Sequence, residues 1–163
     1  MIVNRTASIT HPTFDPTHLN LKVLLVEKHW PDQRLVSKML EARGCKVISA
    51  CNLQEAGNFI KTMDVDMVLM DINIFRNNGF DIMAAIEASE SKRNQPIPMI
   101  AMAENYVKEQ RDYFMGIGMD DYIPKPVFEG ELCRIIERLV ADTSFISAVS
   151  NTSYDRKIEE TTA

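Results

Sequence analysis

No stretch of this sequence stays apolar for the length of a membrane span. The N-terminus also lacks the charged, apolar and small-residue succession of a secretory signal, so the expected setting is the cytoplasm. Cysteine is scarce. Cys45, Cys51 and Cys133 are odd in number and lack metal-ligand spacing, which fits a reducing compartment with each thiol in or near the core. Basic charge is short as well: the formal net charge is −5 and no Lys/Arg cluster stands out, which speaks against a nucleic-acid partner. Of the three histidines, His11 and His18 lie in a polar opening stretch without a metal-like partner set, and only His29 falls near other candidate residues.

What is present suits one domain. Hydrophobic residues make up 45% and charged residues 25%, the balance of an ordinary globular chain, and 163 residues build one core rather than two. The pattern divides into a polar arm over 1–20, a domain over 21–141 and a Ser/Thr-rich tail over 142–163. Within the domain, apolar runs alternate with helical periodicity. Leu21 to Glu27 reads as a first strand. Pro31 opens a helix through Leu35, Val36, Met39 and Leu40, with Gly44 as its stop. Lys46 to Ala50 is a second strand, and Asn52 caps a helix carrying Leu53, Ala56, Phe59 and Ile60. Val65 to Asp71 is a third strand, buried on both faces by its unbroken run Val68, Leu69, Met70 and ending on a carboxylate. A loop over 72–78 leads through Gly79 to a helix ending near Ser89. Pro96 to Met102 is a fourth strand, Glu104 to Met115 a fourth helix, Asp120 to Ile123 a short fifth strand, and Phe128 to Val140 a last amphipathic helix. The ten methionines, Met67, Met70, Met99 and Met102 among them, read as core filling.

Five strand–helix repeats predict an α/β fold, a doubly wound five-stranded parallel sheet of flavodoxin-like type in order 2-1-3-4-5. That order sets the ends of strands one and three side by side at the switch point, with Glu27 and Asp71 as neighbours. Ligands and chemistry gather at this edge of such sheets.

With Leu24-Leu25-Val26-Glu27, Gln33-Arg34-Leu35-Val36, Val68-Leu69-Met70-Asp71, Gly79 and Tyr122-Ile123-Pro124-Lys125-Pro126 in view, the chain resembles the receiver domains of two-component response regulators. It is most like those at the C-terminal end of hybrid sensor histidine kinases. The resemblance covers about Leu21 to Val140. It implies that Asp71 is the phosphoacceptor, that Lys125 contacts the phosphoryl group, and that Mg²⁺ is held by Glu27, Asp71 and the Asn73 carbonyl. The chemistry is reasonable: a carboxylate oxygen attacks phosphorus while cations neutralise the phosphoryl oxygens. The resemblance further implies Tyr122 as switch aromatic and a histidine kinase or histidine phosphotransfer protein as partner. A protein-docking face would be formed by the fourth helix, fifth strand and fifth helix, with Tyr106, Lys108, Arg111 and Tyr122 on it.

The departures from that pattern carry as much information. Lys28 stands where a second acid, a metal ligand, is expected; an ammonium offers no acceptor and opposes a divalent ion. Ala103 stands where a Ser or Thr hydroxyl would bond the phosphoryl group. The metal site is therefore expected to be weak or absent and the switch weakened. Three readings follow. One is a receiver that accepts phosphate on Asp71, with at most self-catalysed phosphoryl transfer and no other enzymatic activity. The second is a pseudo-receiver acting as a binding module, with Lys28 replacing the metal and pairing with Asp71 and Glu27. The third is a flavodoxin-like cofactor binder, disfavoured because Glu27-Lys28-His29-Trp30 has no glycine to cradle a phosphate. His29 and Trp30 lie above the first strand, either lining the site or simply exposed.

Overall fold

The computed structural model describes residues 19–104 and 108–143, with only the backbone of Lys108. The elements run β1 (Lys22–Val26), α1 (Trp30–Ala42), β2 (Lys46–Ala50), α2 (Leu53–Thr62), β3 (Met67–Asp71), α3 (Ile72–Phe75), α4 (Phe80–Arg93), β4 (Met99–Glu104), α5 (Lys108–Gly116) and β5 (Asp121–Lys125). A last helix, α6, covers 129–143. All strands are parallel, in the order β2-β1-β3-β4-β5. This is the sheet that the alternation of apolar runs and helical periods predicts.

Strand side chains alternate between the two faces, and each face has its own core. Val23, Leu25, Met67, Leu69, Ile100, Met102 and Ile123 pack under α1 and α6, against Val36, Leu40, Leu132 and Ile136. Leu24, Val26, Val68, Met70, Met99, Ala101, Ala103 and Tyr122 pack under α2, α4 and α5, against Ile60, Ile82 and Phe114. Every residue of β3 is buried, as a central strand covered on both faces must be.

Local chemistry sets most element ends. Pro31 sits in the first turn of α1, and Gly44 follows it at φ +77, a left-handed position glycine takes freely. The Asn52 side chain accepts from the Glu55 N–H at 2.9 Å and caps α2. Several boundaries differ from the sequence pattern: β3 starts at Met67 rather than Val65, β4 at Met99 rather than Pro96, and β5 spans Asp121–Lys125 rather than Asp120–Ile123. The stretch expected as loop after β3 opens with the single turn α3, because Asp71 itself caps it by accepting from Asn73 N–H. Helix α4 runs to Arg93 rather than Ser89; its last turn is polar but tied down by an Arg93–Asp66 ion pair at 3.1 Å. Strand β4 keeps its ladder through Glu104, so α5 starts later than expected. Helix α6 continues past Val140 to 143, where the Thr143 hydroxyl donates to the Leu139 carbonyl at 2.8 Å. Cys45 and Cys133 are buried as expected, but Cys51 is exposed at the start of the loop after β2. The expected arm lies almost wholly outside the described residues, as does the tail beyond 143.

Candidate functional site

The carboxyl edge of the sheet collects the charges. Alternation along the strands explains which ones. Asp71 shares the parity of Met67 and Leu69, and Lys125 that of Ile123, so both leave the sheet on the α1/α6 side. Glu27 follows Val23 and Leu25 in the same parity, and its N–H still donates to the Ala50 carbonyl at 3.0 Å, extending the β1–β2 ladder by one residue. Lys28 lies beyond the end of β1 and is exposed.

Lys125 Nζ bridges the two acids. It lies 2.5 Å from Glu27 Oε2 and 2.5 Å from Asp71 Oδ2. It also lies 3.4 Å from Asp32 Oδ2, on the first turn of α1. The pocket is shielded: Glu27 is 1% exposed and Asp71 5%, and the Lys125 side chain is 9% exposed. Burial works against the ammonium, but hydrogen bonds and charge from Asp71 and Glu27 outweigh it, holding the Lys125 pKa above its ordinary value.

The remaining oxygens are also committed. Asp71 Oδ1 accepts from the Asn73 N–H at 2.7 Å and the Ile74 N–H at 3.4 Å. Glu27 Oε1 accepts from the His29 N–H at 2.8 Å, and the Glu27 carbonyl accepts from Gln33 Nε2 at 2.8 Å. Each acid thus spends one oxygen on backbone and presents the other to the ammonium. That geometry leaves one Asp71 oxygen at the pocket, paired with the Lys125 ammonium.

The expected pairing of Lys28 with Asp71 and Glu27 is not what the structure holds. Lys28 is exposed and makes no ion pair with either; Lys125 makes both. The pairing with Lys28 came from the resemblance alone; position 28 lies beyond the end of β1, and its lysine is exposed. Asp32 was missed. Five residues beyond Glu27, it reaches the pocket only because Pro31 starts a helix there that packs on the Glu27 side.

The other predicted residues fall as follows. Asn73 is exposed, directly after the strand end, and its carbonyl accepts from Asn77 Nδ2 at 3.2 Å. Ala103 is 2% exposed, opposite Pro124 in the β4–β5 register, with no hydroxyl to offer the pocket. Tyr122 is 5% exposed and its ring stacks on Phe114, with centroids 5.5 Å apart. It therefore faces the core under α5 and takes no part in an exposed docking surface. Arg111 is exposed on α5, whereas Tyr106 and the Lys108 side chain lie outside the described residues. His29 is exposed and its Nδ1 lies 3.0 Å from Asp32 Oδ2. Trp30 is 63% exposed, with the Arg34 guanidinium 5.3 Å from its ring centroid. Gly79 has φ −66, so it is not needed for a left-handed turn. A Cβ there would lie 2.3 Å from the Phe75 ring, and this close approach is what glycine permits.

Among the described residues, no three His, Cys, Asp or Glu side chains stand so as to hold a metal ion between them. The donors at the pocket are hard oxygens of the kind Mg²⁺ takes, and as placed they converge on Lys125. None of the described helices is long and apolar enough to cross a membrane.

Comparison with known proteins places these features in context. The family model for the response regulator receiver domain matches residues 23–137. The sensor histidine kinase GacS of Pseudomonas protegens is 31% identical over 116 residues, 71% of this chain but only 13% of the kinase. The receiver domain of the sensor histidine kinase PA1611 of Pseudomonas aeruginosa superposes with a TM-score of 0.61 at 29% identity, covering 73% of this chain and 96% of that domain; it was solved with a magnesium ion coordinated in its active-site cleft. The Saccharomyces cerevisiae Ypd1–Ssk1 complex, a histidine phosphotransfer protein with a receiver domain, matches with a TM-score of 0.60 at 22% identity, over 69% of this chain and 83% of that one.

Proposed function

This chain belongs to the response regulator receiver domain family, and from that premise we propose that Asp71 is its phosphoacceptor, in a pocket where Lys125 supplies the charge that most receivers share with a metal. The observation that carries this is the Asp71–Lys125 contact of 2.5 Å at the carboxyl edge of the sheet. The phosphoryl donor is a phosphohistidine on a kinase or phosphotransfer protein, the class of partner seen beside the receiver domain of Ssk1. One Asp71 oxygen attacks phosphorus, the phosphorus–nitrogen bond breaks, and the donor imidazole leaves neutral once it gains a proton. Lys125 turns from Glu27 to the new phosphoryl oxygens, a role suited to a mobile point charge.

Lys28 and Ala103 make this a degenerate receiver. With a cation at position 28, Mg²⁺ binds weakly through Glu27, Asp71 and the Asn73 carbonyl. With no hydroxyl at 103, the phosphoryl group has no handle on β4, and Tyr122 stays stacked on Phe114. Output runs through protein contacts at the α5, β5 and α6 face. The same two residues favour a second reading, a pseudo-receiver that binds its partner whether or not Asp71 is phosphorylated.

Intact-mass measurement after incubation with acetyl phosphate and Mg²⁺ separates the two. The expected result is slow, partial addition of one phosphoryl group, absent in Asp71→Asn and increased in Lys28→Asp together with Mg²⁺ affinity. No addition in either the native chain or Lys28→Asp selects the pseudo-receiver.

A further inference from the structure

The pocket lacks an acid at position 28, yet three carboxylates face the Lys125 ammonium. The third is Asp32. Its Oδ2 lies 3.4 Å from Lys125 Nζ, and the same oxygen lies 3.0 Å from His29 Nδ1. The segment that carries it is fixed at both ends of one turn. The His29 N–H donates to Glu27 Oε1, and Gln33, the residue after Asp32, donates from Nε2 to the Glu27 carbonyl, both at 2.8 Å. Pro31 starts the helix between these two clips. Glu27 and Asp32 are thereby turned toward one nitrogen, while Lys28 between them is turned to solvent.

We propose that Asp32 is the third acid of this pocket, delivered from α1 in place of position 28, and that it helps hold the Lys125 ammonium over Asp71 as the pocket's resident cation. The inference rests on the reading of Asp71 and Lys125 as the phosphoacceptor pair, and deepens it. Asp32 acts on Asp71 through Lys125 and is a positioning residue. Three carboxylates around one ammonium hold it firmly, and a divalent ion has to compete with it for the same oxygens.

Two measurements test this. The first is the NMR signal of the Lys125 side-chain ammonium at one fixed pH in the native chain, Asp32→Asn and Asp32→Glu. Asp32 is partly exposed at the start of a helix, so these variants are expected to fold. Removing its charge loosens the ammonium and speeds its exchange with water, and Asp32→Glu restores the native signal; a Lys125 signal unchanged in Asp32→Asn overturns the proposal. The second follows Mg²⁺ binding through the emission of Trp30, the only tryptophan. Lys125→Met, which bares the three carboxylates, binds Mg²⁺ about tenfold or more tighter than the native chain, and adding Asp32→Asn reverses most of that gain because one charged oxygen ligand is lost. Lys125→Met binding no tighter than the native chain overturns the resident-cation claim, and equal affinity with and without Asp32 removes Asp32 from the pocket. Acetyl phosphate labelling of Asp71 in the native chain reports separately on the underlying reading: labelling with an unchanged Lys125 signal sinks the role of Asp32 alone, and no labelling sinks the reading beneath it.

Discussion

Replacing Lys125 with methionine removes the cation that bridges Glu27 and Asp71. The two acidic oxygens each lie 2.5 Å from Nζ, so they are no more than about 5 Å from one another. At an effective dielectric constant near 20, two like charges at that distance repel by about 3 kcal/mol. Both carboxylates are almost fully buried, and breaking a buried pair from one side typically costs about 3–5 kcal/mol. Lys125→Met is therefore expected to lose about 3–5 kcal/mol at pH 7.5, a third or more of the stability of a typical domain of about 5–15 kcal/mol. The loss depends on pH. In the variant, two buried carboxylates face each other with no cation between them, and this repulsion, and with it the deficit, eases as pH falls toward 5. In the native chain the Lys125 pKa is raised, so its contribution is fully present below the ordinary lysine value of about 10.4 and is lost only as pH rises through the folded-state pKa. Urea unfolding of native and variant chains at pH 7.5 and pH 5 measures the loss and its narrowing, and Asp71→Asn in the Lys125→Met background is expected to recover most of the loss. A deficit under about 1 kcal/mol, the size of a surface ion pair, and equal at both pH values would refute the account of a buried, charge-balanced pocket.

Three further outcomes follow from packing around the site. Gly79→Ala places a Cβ against the buried Phe75 ring and is expected to cost about 1–3 kcal/mol in chemical denaturation, the usual range for overpacking; a neutral result would mean that the ring turns aside freely. Phe114→Ala removes a fully buried ring that stacks on Tyr122 and is expected to lose about 3–5 kcal/mol, with Tyr122 emission shifting toward that of a solvated phenol. Ala103→Thr supplies the missing hydroxyl. Hydrogen exchange over 108–116 is expected to respond to acetyl phosphate in this variant and not in the native chain, and a response already present in the native chain would contradict the uncoupled switch.

The architecture was legible because its signals are long-range and redundant. The unbroken apolar run of β3, the caps at Asn52 and Gly44 and the alternation of periods all pointed to one sheet order. Element ends were less legible where polar residues are held by tertiary contacts, as at Arg93, or where a side chain caps its own loop, as Asp71 does. At the site, the spacing from Tyr122 to Lys125 brought the right ammonium to Asp71. Lys28 misled because the resemblance puts position 28 at the pocket, whereas the lysine there is exposed and the ion pairs to Glu27 and Asp71 come from Lys125. Asp32 had only a faint signal: an acid in the first turn of a proline-started helix, which equally reads as a favourable charge at a helix N-terminus. Nothing local tells those two uses apart; only packing α1 on the Glu27 side of the sheet does.

The central claim is that Asp71 receives a phosphoryl group. Borohydride reduces an aspartyl phosphate to homoserine, so treating the chain after incubation with acetyl phosphate and Mg²⁺, followed by peptide mapping, marks the acceptor directly. The account predicts homoserine at position 71 in a minor fraction of molecules, a larger fraction in Lys28→Asp, and none at Glu27 or Asp32. Homoserine at another aspartate, or none at position 71 even in Lys28→Asp, would contradict it.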